Sequence, residues 1–214
     1  MGKVIAIDGP SGAGKSTISQ LLARKLGFHY LDTGSLYRAI ALYLRREGVA
    51  PESADREIHE KLQGVSISFE DGRVLLNGED VSGAIRTPEA GHYASVFSAR
   101  KPVRDFLLAI QRNAAKQRDI VAEGRDMTTV VFPDAWRKIY LDASEEGRAR
   151  RRYMQLKEKG IEITMDEAMK DVRERDLRDS RRDIAPLRRA KDAIYIDSTN
   201  LNKDEVIELI FTYL

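Results

Sequence analysis

The sequence predicts an α/β protein in which a parallel β-sheet is flanked by α-helices. Short apolar runs that suit buried strands alternate with segments whose apolar residues recur at helical spacing. Such alternation is typical of parallel sheets, because a crossover helix must join each strand to the next. Ligands of these sheets bind beyond the carboxyl ends of the strands. Four acidic residues end predicted strands and are site candidates, at least one of which we expect to cap a helix instead: Asp8, Asp32, Glu123 and Asp142.

The first predicted strand, Val4 to Asp8, leads into a glycine-rich loop and then a helix. The loop, Gly9-Pro10-Ser11-Gly12-Ala13-Gly14-Lys15-Ser16-Thr17, matches the phosphate-binding pattern G-x-x-x-x-G-K-[ST]. Its glycines allow backbone N–H groups to face a phosphate, and the positive end of the helix dipole points at the same anion. Lys15 can reach the β- and γ-phosphates, and the Ser16 hydroxyl can hold Mg²⁺. We therefore expect a nucleoside triphosphate to bind here.

The other elements of the predicted sheet follow in alternation. The helix after the loop runs to about Leu26, and Gly27 is well placed to end it. Further strands are predicted at 29–31, 119–123, 138–142 and 193–197. Further helices are predicted from Asp32 to Gly48, from Pro102 onward, and from about Asn202, where Glu205 completes a capping box.

A short stretch between about residues 63 and 80 interrupts this alternation. Apolar and polar residues alternate there with a period of two on both sides of Glu70-Asp71-Gly72. An Asp-Gly pair between two alternating runs is typical of a β-hairpin. We expect a small antiparallel sub-domain on the surface.

A second interruption, Glu145 to Arg189, is helical and dense in charge. Gly160 separates two predicted helices, and Thr164 with Glu167 forms a capping box for the second. Several arginines crowd along about two turns of that helix: Arg175, Arg178, Arg181 and Arg182. Such segments are often solvated faces of ion pairs, but this crowding favours a mobile lid whose arginines bind phosphate.

The composition excludes several functional classes. The chain has 214 residues, of which 42% are hydrophobic and 33% charged, and its net charge of +2 is too small to indicate nucleic-acid binding. Without cysteine it has no disulfide, zinc–thiolate site or cysteine nucleophile. No apolar run approaches the roughly 20 residues of a membrane helix, and the chain begins directly with a core strand. We expect a cytoplasmic monomer without a membrane or nucleic-acid partner.

Motifs along nearly the whole chain resemble those of the bacterial cytidylate kinase family. They are the glycine-rich loop, Asp32–Arg38, Gly78–Gly83, Ile85–Thr87, Glu123–Met127, Val131–Ala135, Lys138–Ser144, Arg175-Asp176, Arg178-Asp179 and Ile184–Leu187. The resemblance implies a single P-loop kinase domain, 1–214, with a five-stranded parallel sheet. It further implies a monophosphate-binding insert with a small antiparallel sheet at about 60–100 and a helical lid at about 145–185.

The resemblance also implies an activity, namely phosphoryl transfer from ATP to CMP or dCMP with Mg²⁺ as the cofactor. By similarity, the nine loop residues bind ATP, and Ser16 is a magnesium ligand. The implied catalytic residues are Lys15, Arg125, Arg175 and Arg182. The implied CMP-binding residues are Thr33, Arg38, Ser95, Arg104, Arg125, Asp126, Arg175, Asp179 and Arg182.

Three of these residues fall where the family reads cytosine: Ser95, Arg104 and Asp126. Asp126 can accept a hydrogen bond from the exocyclic amine, whereas uracil would place a carbonyl against it. Two positions differ from the family pattern, because Thr33 replaces a common Ser and Glu123 stands where Asp is also found. The first keeps the hydroxyl, and the second leaves open how the carboxylate reaches magnesium.

Two other classes of protein share some of these features. Asp80-Val81-Ser82-Gly83 matches the D-x-x-G of GTPase switches, and Asn202-Lys203-Asp204-Glu205 nearly matches N-K-x-D. The first lies after the hairpin rather than after a core strand, and Glu205 replaces the acid that reads guanine. A kinase acting on a sugar, shikimate or a pantetheine would share the loop but not the cytosine-reading residues. The basic segment has a single aromatic residue, Tyr153, which disfavours nucleic acid as a ligand.

Overall fold

A computed structural model of the protein describes residues 2–70, 73–116 and 118–214. The chain divides into two compact units, one made of Met1–Leu31 with Ala114–Leu214 and the other of Asp32–Asn113. In chain order the elements are β1 (Val4–Asp8), α1 (Lys15–Leu26), β2 (His29–Asp32), α2 (Thr33–Arg46), α3 (Asp55–Leu62), β3 (Ile67–Glu70), β4 (Arg73–Leu76), β5 (Glu79–Asp80), α4 (Pro88–Phe97), α5 (Lys101–Ala114), β6 (Ile120–Gly124), β7 (Arg137–Asp142), α6 (Glu145–Glu158), α7 (Met165–Arg181), β8 (Ile194–Asp197) and α8 (Lys203–Phe211).

The large sheet has the strand order β2-β6-β1-β7-β8. Strand β1 pairs in parallel with both β6 and β7, and β7 pairs in parallel with β8. All five predicted strands form, and their bounds move by no more than one residue. The expectation of a five-stranded parallel sheet flanked by helices is therefore confirmed.

Helices α1 and α8 cover one face of this sheet with a shared apolar core. Because β1 is the central strand, both of its faces are buried, which explains why it is a continuous apolar run rather than an alternating one. The buried side chains of this core come from four strands and the two helices: Ile5, Ile7, Ile18, Leu22, Ala23, Val121, Ile139, Leu141, Ile196, Val206, Ile207 and Ile210. Asn202 caps α8 in the expected box with Glu205.

The second unit holds helices α2 to α5 and a three-stranded antiparallel sheet in the order β3-β4-β5. The expected hairpin forms, with Ile67 opposite Leu76 and Phe69 opposite Val74. Asp71 and Gly72 of the expected turn lie outside the described residues. Fully buried side chains of this unit lie in all of its longer helices: Leu36, Ile40, Leu44, Ile58, Phe97 and Leu107.

Helices α6 and α7 of the first unit form the charge-rich segment. Each begins at a side-chain cap: Ser144 accepts from the Gly147 N–H, and Thr164 and Glu167 form the predicted capping box. Ion pairs of described residues join the helices: Arg152 with Asp171 at 2.8 Å, Arg173 with Glu145 at 2.5 Å, and Arg148 with Asp176. The expected lid, at about 145–185, remains a prediction in its bounds and its motion. The bounds of the expected insert, at about 60–100, also remain a prediction. Across the described ranges, every helix is too short or too polar to cross a membrane.

Candidate active site

The glycine-rich loop joins β1 to α1 in a conformation that requires glycine. Gly12 and Gly14 have positive φ angles of 77° and 92°. Gly9 approaches β7 so closely that a Cβ there would lie 1.9 Å from the carbonyl oxygen of Leu141. Since glycine alone tolerates this backbone path, the loop can wrap an anion at the N-terminus of α1.

Lys15 is buried at the start of α1, and its Nζ donates to the carbonyl oxygen of Pro10 at 2.6 Å. Burial, and then the charge of Arg125, lower the pKa of Lys15 to about 7. Ser16 and Thr17 are exposed in the same helical turn. The Ser16 hydroxyl therefore fits a magnesium ligand that works together with substrate phosphates.

Arginines and carboxylates from α7 and from the turn after β6 form a second group of predicted residues. Arg125 Nε donates to Asp179 Oδ2 at 2.8 Å. Arg182 Nη2 lies 3.7 Å from Asp126 Oδ1, and both side chains are almost fully buried. The pKa of the Asp179 carboxyl is lowered because the charges of Arg125 and Arg182 outweigh its burial. Asp179 is therefore a carboxylate.

Arg175 belongs to the same group, but its Nε does not form a hydrogen bond with any described residue. This nitrogen is also buried. Burial and the neighbouring Arg125 charge lower the pKa of Arg175 to about 10. A buried guanidinium beside another cation is costly unless an anion binds to it.

Asp8 is a residue of this site whose role the sequence left open. It is fully buried at the end of β1. Its Oδ1 accepts from the Met127 N–H at 2.9 Å, and its Oδ2 accepts from the Thr128 N–H at 2.7 Å and from Thr128 Oγ1 at 2.6 Å. These residues open a single turn of π-helix, Met127–Val131, directly after Asp126. Asp8 thereby fixes the segment that carries Arg125 and Asp126.

Glu123, the acid at the end of β6, is held by a neighbour that the sequence did not single out. The Tyr30 hydroxyl of β2 donates to Glu123 Oε1 at 2.5 Å, and Glu123 is almost fully buried. The raising effect of the Glu123 charge on the pKa of Lys15 places this carboxylate near the lysine. One oxygen of the Glu123 carboxylate is therefore held by Tyr30, and the charge of the carboxylate acts on Lys15 of the phosphate loop.

In the second unit, Ser98 forms hydrogen bonds with both Ser95 and Arg104. Arg104 Nη1 donates to the Ser98 carbonyl oxygen at 3.0 Å, and Ser98 Oγ donates to the Ser95 carbonyl oxygen at 2.8 Å. The Arg104 guanidinium lies 5.7 Å from the centre of the Tyr37 ring. The sequence did not predict Ser98, because a serine at the end of a helix carries no signal beyond a cap.

Arg38 of the second unit is positioned by the start of its own helix. Asp32 caps α2 by accepting from the Ser35 N–H at 2.9 Å and from Ser35 Oγ at 2.6 Å. Ser35 Oγ in turn accepts from Arg38 Nη1 at 3.3 Å. Asp32 is therefore the strand-end acid that caps a helix, and Thr33 is buried beside it in the first turn.

The structure thus places the predicted residues in two sets, one in each unit. The set of the first unit comprises the glycine-rich loop with Arg125, Asp126, Arg175, Asp179 and Arg182. The set of the second unit comprises Thr33, Arg38, Ser95 and Arg104. In the first set, Arg125 and Asp179 are joined by an ion pair although they lie 54 positions apart in the sequence.

The sequence motifs of GTPases have structural roles here. Asn202 Oδ1 accepts from the N–H groups of Asp204 and Glu205 as the cap of α8. Asp80 Oδ1 accepts from the Ser82 N–H in a tight turn. Both matches are explained by local backbone geometry.

Solved structures with similar folds include a shikimate kinase and an uncharacterized protein. A shikimate kinase from Bacteroides thetaiotaomicron superposes with a TM-score of 0.50 at 14% identity, covering 99% of this chain and 97% of that one. An uncharacterized protein from Eubacterium ventriosum superposes with a TM-score of 0.53 at 13% identity, covering 99% and 97% of the two chains. At such identities the likeness establishes the fold alone.

The sequence comparisons are more specific. A curated cytidylate kinase from Thermodesulfovibrio yellowstonii is 55% identical over 98% of this chain and 96% of its own length. Those from Thermosipho melanesiensis and Geobacter sulfurreducens are 53% and 51% identical, over 96% and 97% of this chain and 94% and 90% of their own lengths. The family model for cytidylate kinase matches residues 5–214. The chain belongs to the cytidylate kinase family.

Proposed function

We propose that this chain transfers the γ-phosphoryl group of ATP to CMP or dCMP, giving ADP and CDP or dCDP. Membership of the family supports the reaction. The observation that carries the proposal at the level of residues is the buried Arg175 Nε without a partner, beside the charge of Arg125. An acceptor phosphate would supply a negatively charged hydrogen-bond acceptor for this atom.

On the donor side, the glycine-rich loop binds the ATP phosphates through backbone N–H groups. Lys15 exchanges its bond to the Pro10 carbonyl for phosphate oxygens, which favour its charged form. Ser16 holds Mg²⁺, which neutralises charge on the β- and γ-phosphates when it is bound. Glu123, whose carboxylate accepts from the Tyr30 hydroxyl, would be available to accept a hydrogen bond from a water bound to Mg²⁺.

On the acceptor side, the chemistry is mainly charge placement. Arg38, Arg125, Arg175 and Arg182 bind the CMP phosphate and the equatorial oxygens of the group in transfer, where negative charge is spread in the transition state. Asp179 accepts from ribose hydroxyls, and Thr33 assists with its own hydroxyl. No general base is required, because the attacking atom is already a phosphate oxygen anion.

Cytosine is read by Ser95, Arg104 and Asp126. The exocyclic amine of cytosine donates to Asp126, and Arg104 donates to the ring nitrogen and carbonyl acceptors. Uracil would set an acceptor against the Asp126 carboxylate, leaving a buried polar group unpaired. The proposal includes a cytoplasmic monomer. It also includes the absence of a nucleic-acid partner, which the small net charge of +2 supports.

The test is ADP formation from Mg-ATP with CMP, dCMP, UMP, AMP, GMP and shikimate offered in turn. We expect kcat/KM to be highest for CMP and dCMP, and Asp126→Asn to reduce the CMP-to-UMP ratio by about 10- to 100-fold. Asp134→Asn, an exposed acid in the loop before β7, is the matched control and should leave the ratio unchanged. Equal use of all acceptors, or phosphorylation of shikimate alone, would contradict the proposal.

A further inference from the structure

Ser11, the third residue of the phosphate loop, is held at both of its backbone polar atoms by the charge-rich helices. Its N–H donates to Asp176 Oδ1 of α7 at 2.8 Å. Its carbonyl oxygen accepts from Arg148 Nη1 of α6 at 3.1 Å. The same Arg148 nitrogen donates to Asp176 Oδ2, which closes a ring of three groups. We call Ser11, Arg148 and Asp176 the loop clamp.

The two side chains of the loop clamp are largely buried and are held by further contacts. The Arg148 side chain is 10% exposed and the Asp176 side chain 21% exposed, so water screens their charges only partly. Arg148 Nε is fixed as well, since it donates to the Ala143 carbonyl oxygen at 3.0 Å. A Cβ on Gly12 would lie 2.7 Å from the Arg148 carbonyl oxygen, so loop and helix also touch through their backbones.

Helix α7 connects the loop clamp to the proposed acceptor residues. Asp176 is the direct neighbour of Arg175, whose Nε is buried and unpartnered among the described atoms. One turn later on the same helix, Asp179 pairs with Arg125 at 2.8 Å. A shift of α7 on binding an acceptor phosphate would therefore change the contact that Asp176 makes with the Ser11 N–H.

We propose that Asp176 is a positioning residue that ties the phosphate loop to α7, so that ATP and CMP each strengthen the binding of the other. Because the loop clamp joins the phosphate loop to α7, a ligand that holds one of them in its binding position also holds the other there, and the second ligand then binds to a site that is already positioned. The inference rests on the proposed function, because it takes ATP and CMP as the two ligands. The proposed role of Asp176 is exerted through the Ser11 backbone and α7 rather than through contact with either ligand.

The experiment measures this coupling by calorimetric titration of CMP with and without a saturating, non-hydrolysable ATP analogue and Mg²⁺. For the unmodified protein we expect CMP to bind at least about fivefold more tightly in the presence of the analogue. In Asp176→Ala the ratio of the two dissociation constants should fall to about 1. Asp176→Asn keeps an acceptor for the Ser11 N–H but loses the charge opposite Arg148, so an intermediate ratio is expected.

Glu145→Ala is the matched control, because Glu145 pairs with Arg173 across the same two helices and is not part of the loop clamp. It should keep the ratio of the unmodified protein. Asp176→Asn replaces Asp176→Ala if the alanine variant does not fold, as checked by circular dichroism. A ratio of 1 in the unmodified protein, or an unchanged ratio in both Asp176 variants, overturns the coupling role. Failure of the unmodified protein to bind or phosphorylate CMP would instead overturn the proposed function.

Discussion

The pKa of Lys15, the ammonium group of the phosphate loop, is lowered by burial in the protein without substrate. Its Nζ bonds a neutral carbonyl, and burial together with the Arg125 charge lowers its pKa to about 7. ATP phosphates raise that pKa again, because they favour the charged form. Above pH 7, therefore, a lysine that is largely neutral must take up a proton when ATP binds.

This linkage predicts that Mg-ATP affinity falls as pH rises above about 7, by up to about tenfold per pH unit. Proton uptake should be close to zero at pH 6 and approach one proton at pH 8. Calorimetry at each pH, in two buffers with different ionisation enthalpies, measures it directly. In Lys15→Arg the guanidinium stays charged, so the uptake that is specific to the lysine should disappear. Equal uptake at both pH values would contradict the pKa of Lys15.

The turn after β6 is an element whose position depends on a distant side chain. Asp8 holds its first residues through three hydrogen bonds, but complete burial still raises the pKa of the Asp8 carboxyl to about 6. Between pH 4 and pH 6 the folded state therefore binds more protons at Asp8 than the unfolded state does. Stability contributed through this group falls as pH rises across that window.

We predict that Asp8→Asn removes this component of the pH dependence. Relative to the asparagine variant, the unmodified protein should lose about 2 kcal/mol of unfolding free energy between pH 4 and pH 7. Urea denaturation at several pH values measures the difference. Asp134→Asn, which alters an exposed acid, should run parallel to the unmodified protein. If the unfolding free energies of Asp8→Asn and the unmodified protein ran parallel over this pH range, ionisation of Asp8 would not destabilise the folded state.

Elements with a strong local signal were predictable from the sequence, and weaker ones were not. Strand β1 and helix α1 carry a continuous apolar run, a glycine loop and a glycine C-cap, and these signals agree with one another. Strand β5 has only two residues, and α3 buries only Ile58 and Leu62, so neither has a pattern long enough to detect. Helix α4 begins with the cap Thr87 and with Pro88 in its first turn, a local start signal that the sequence does carry.

The candidate site shows the same limit. The phosphate loop is contiguous, so one pattern reveals it completely. The contacts that position the site join residues 93, 120 and 165 positions apart, namely Tyr30 with Glu123, Asp8 with Thr128, and Ser11 with Asp176. No local periodicity reports such pairs, because tertiary packing alone brings them together.

At the scale of the whole molecule, cationic side chains that crowd together in the first unit link stability to ligand binding. Arg175 lies close enough to Arg125 for repulsion, and its Nε has no hydrogen-bond partner among the described residues. Lys15 is also affected by the charge of Arg125. An anion that binds there relieves this repulsion in the folded state and has no counterpart in the unfolded chain.

We predict that CMP at about 100 times its dissociation constant adds about 2.7 kcal/mol to the free energy of unfolding, which raises Tm by about 5–10 °C. Arg175→Met should have two opposite effects: Tm without ligand should stay the same or rise, because a buried cation is removed, while the increase caused by CMP should shrink to a small fraction. Arg173→Met, on the same helix but well exposed, is the matched control and should change neither quantity appreciably. Thermal denaturation followed by fluorescence, with and without CMP, measures both. A lower Tm in Arg175→Met with an unchanged CMP shift would mean that Arg175 stabilises the fold and does not bind the acceptor phosphate.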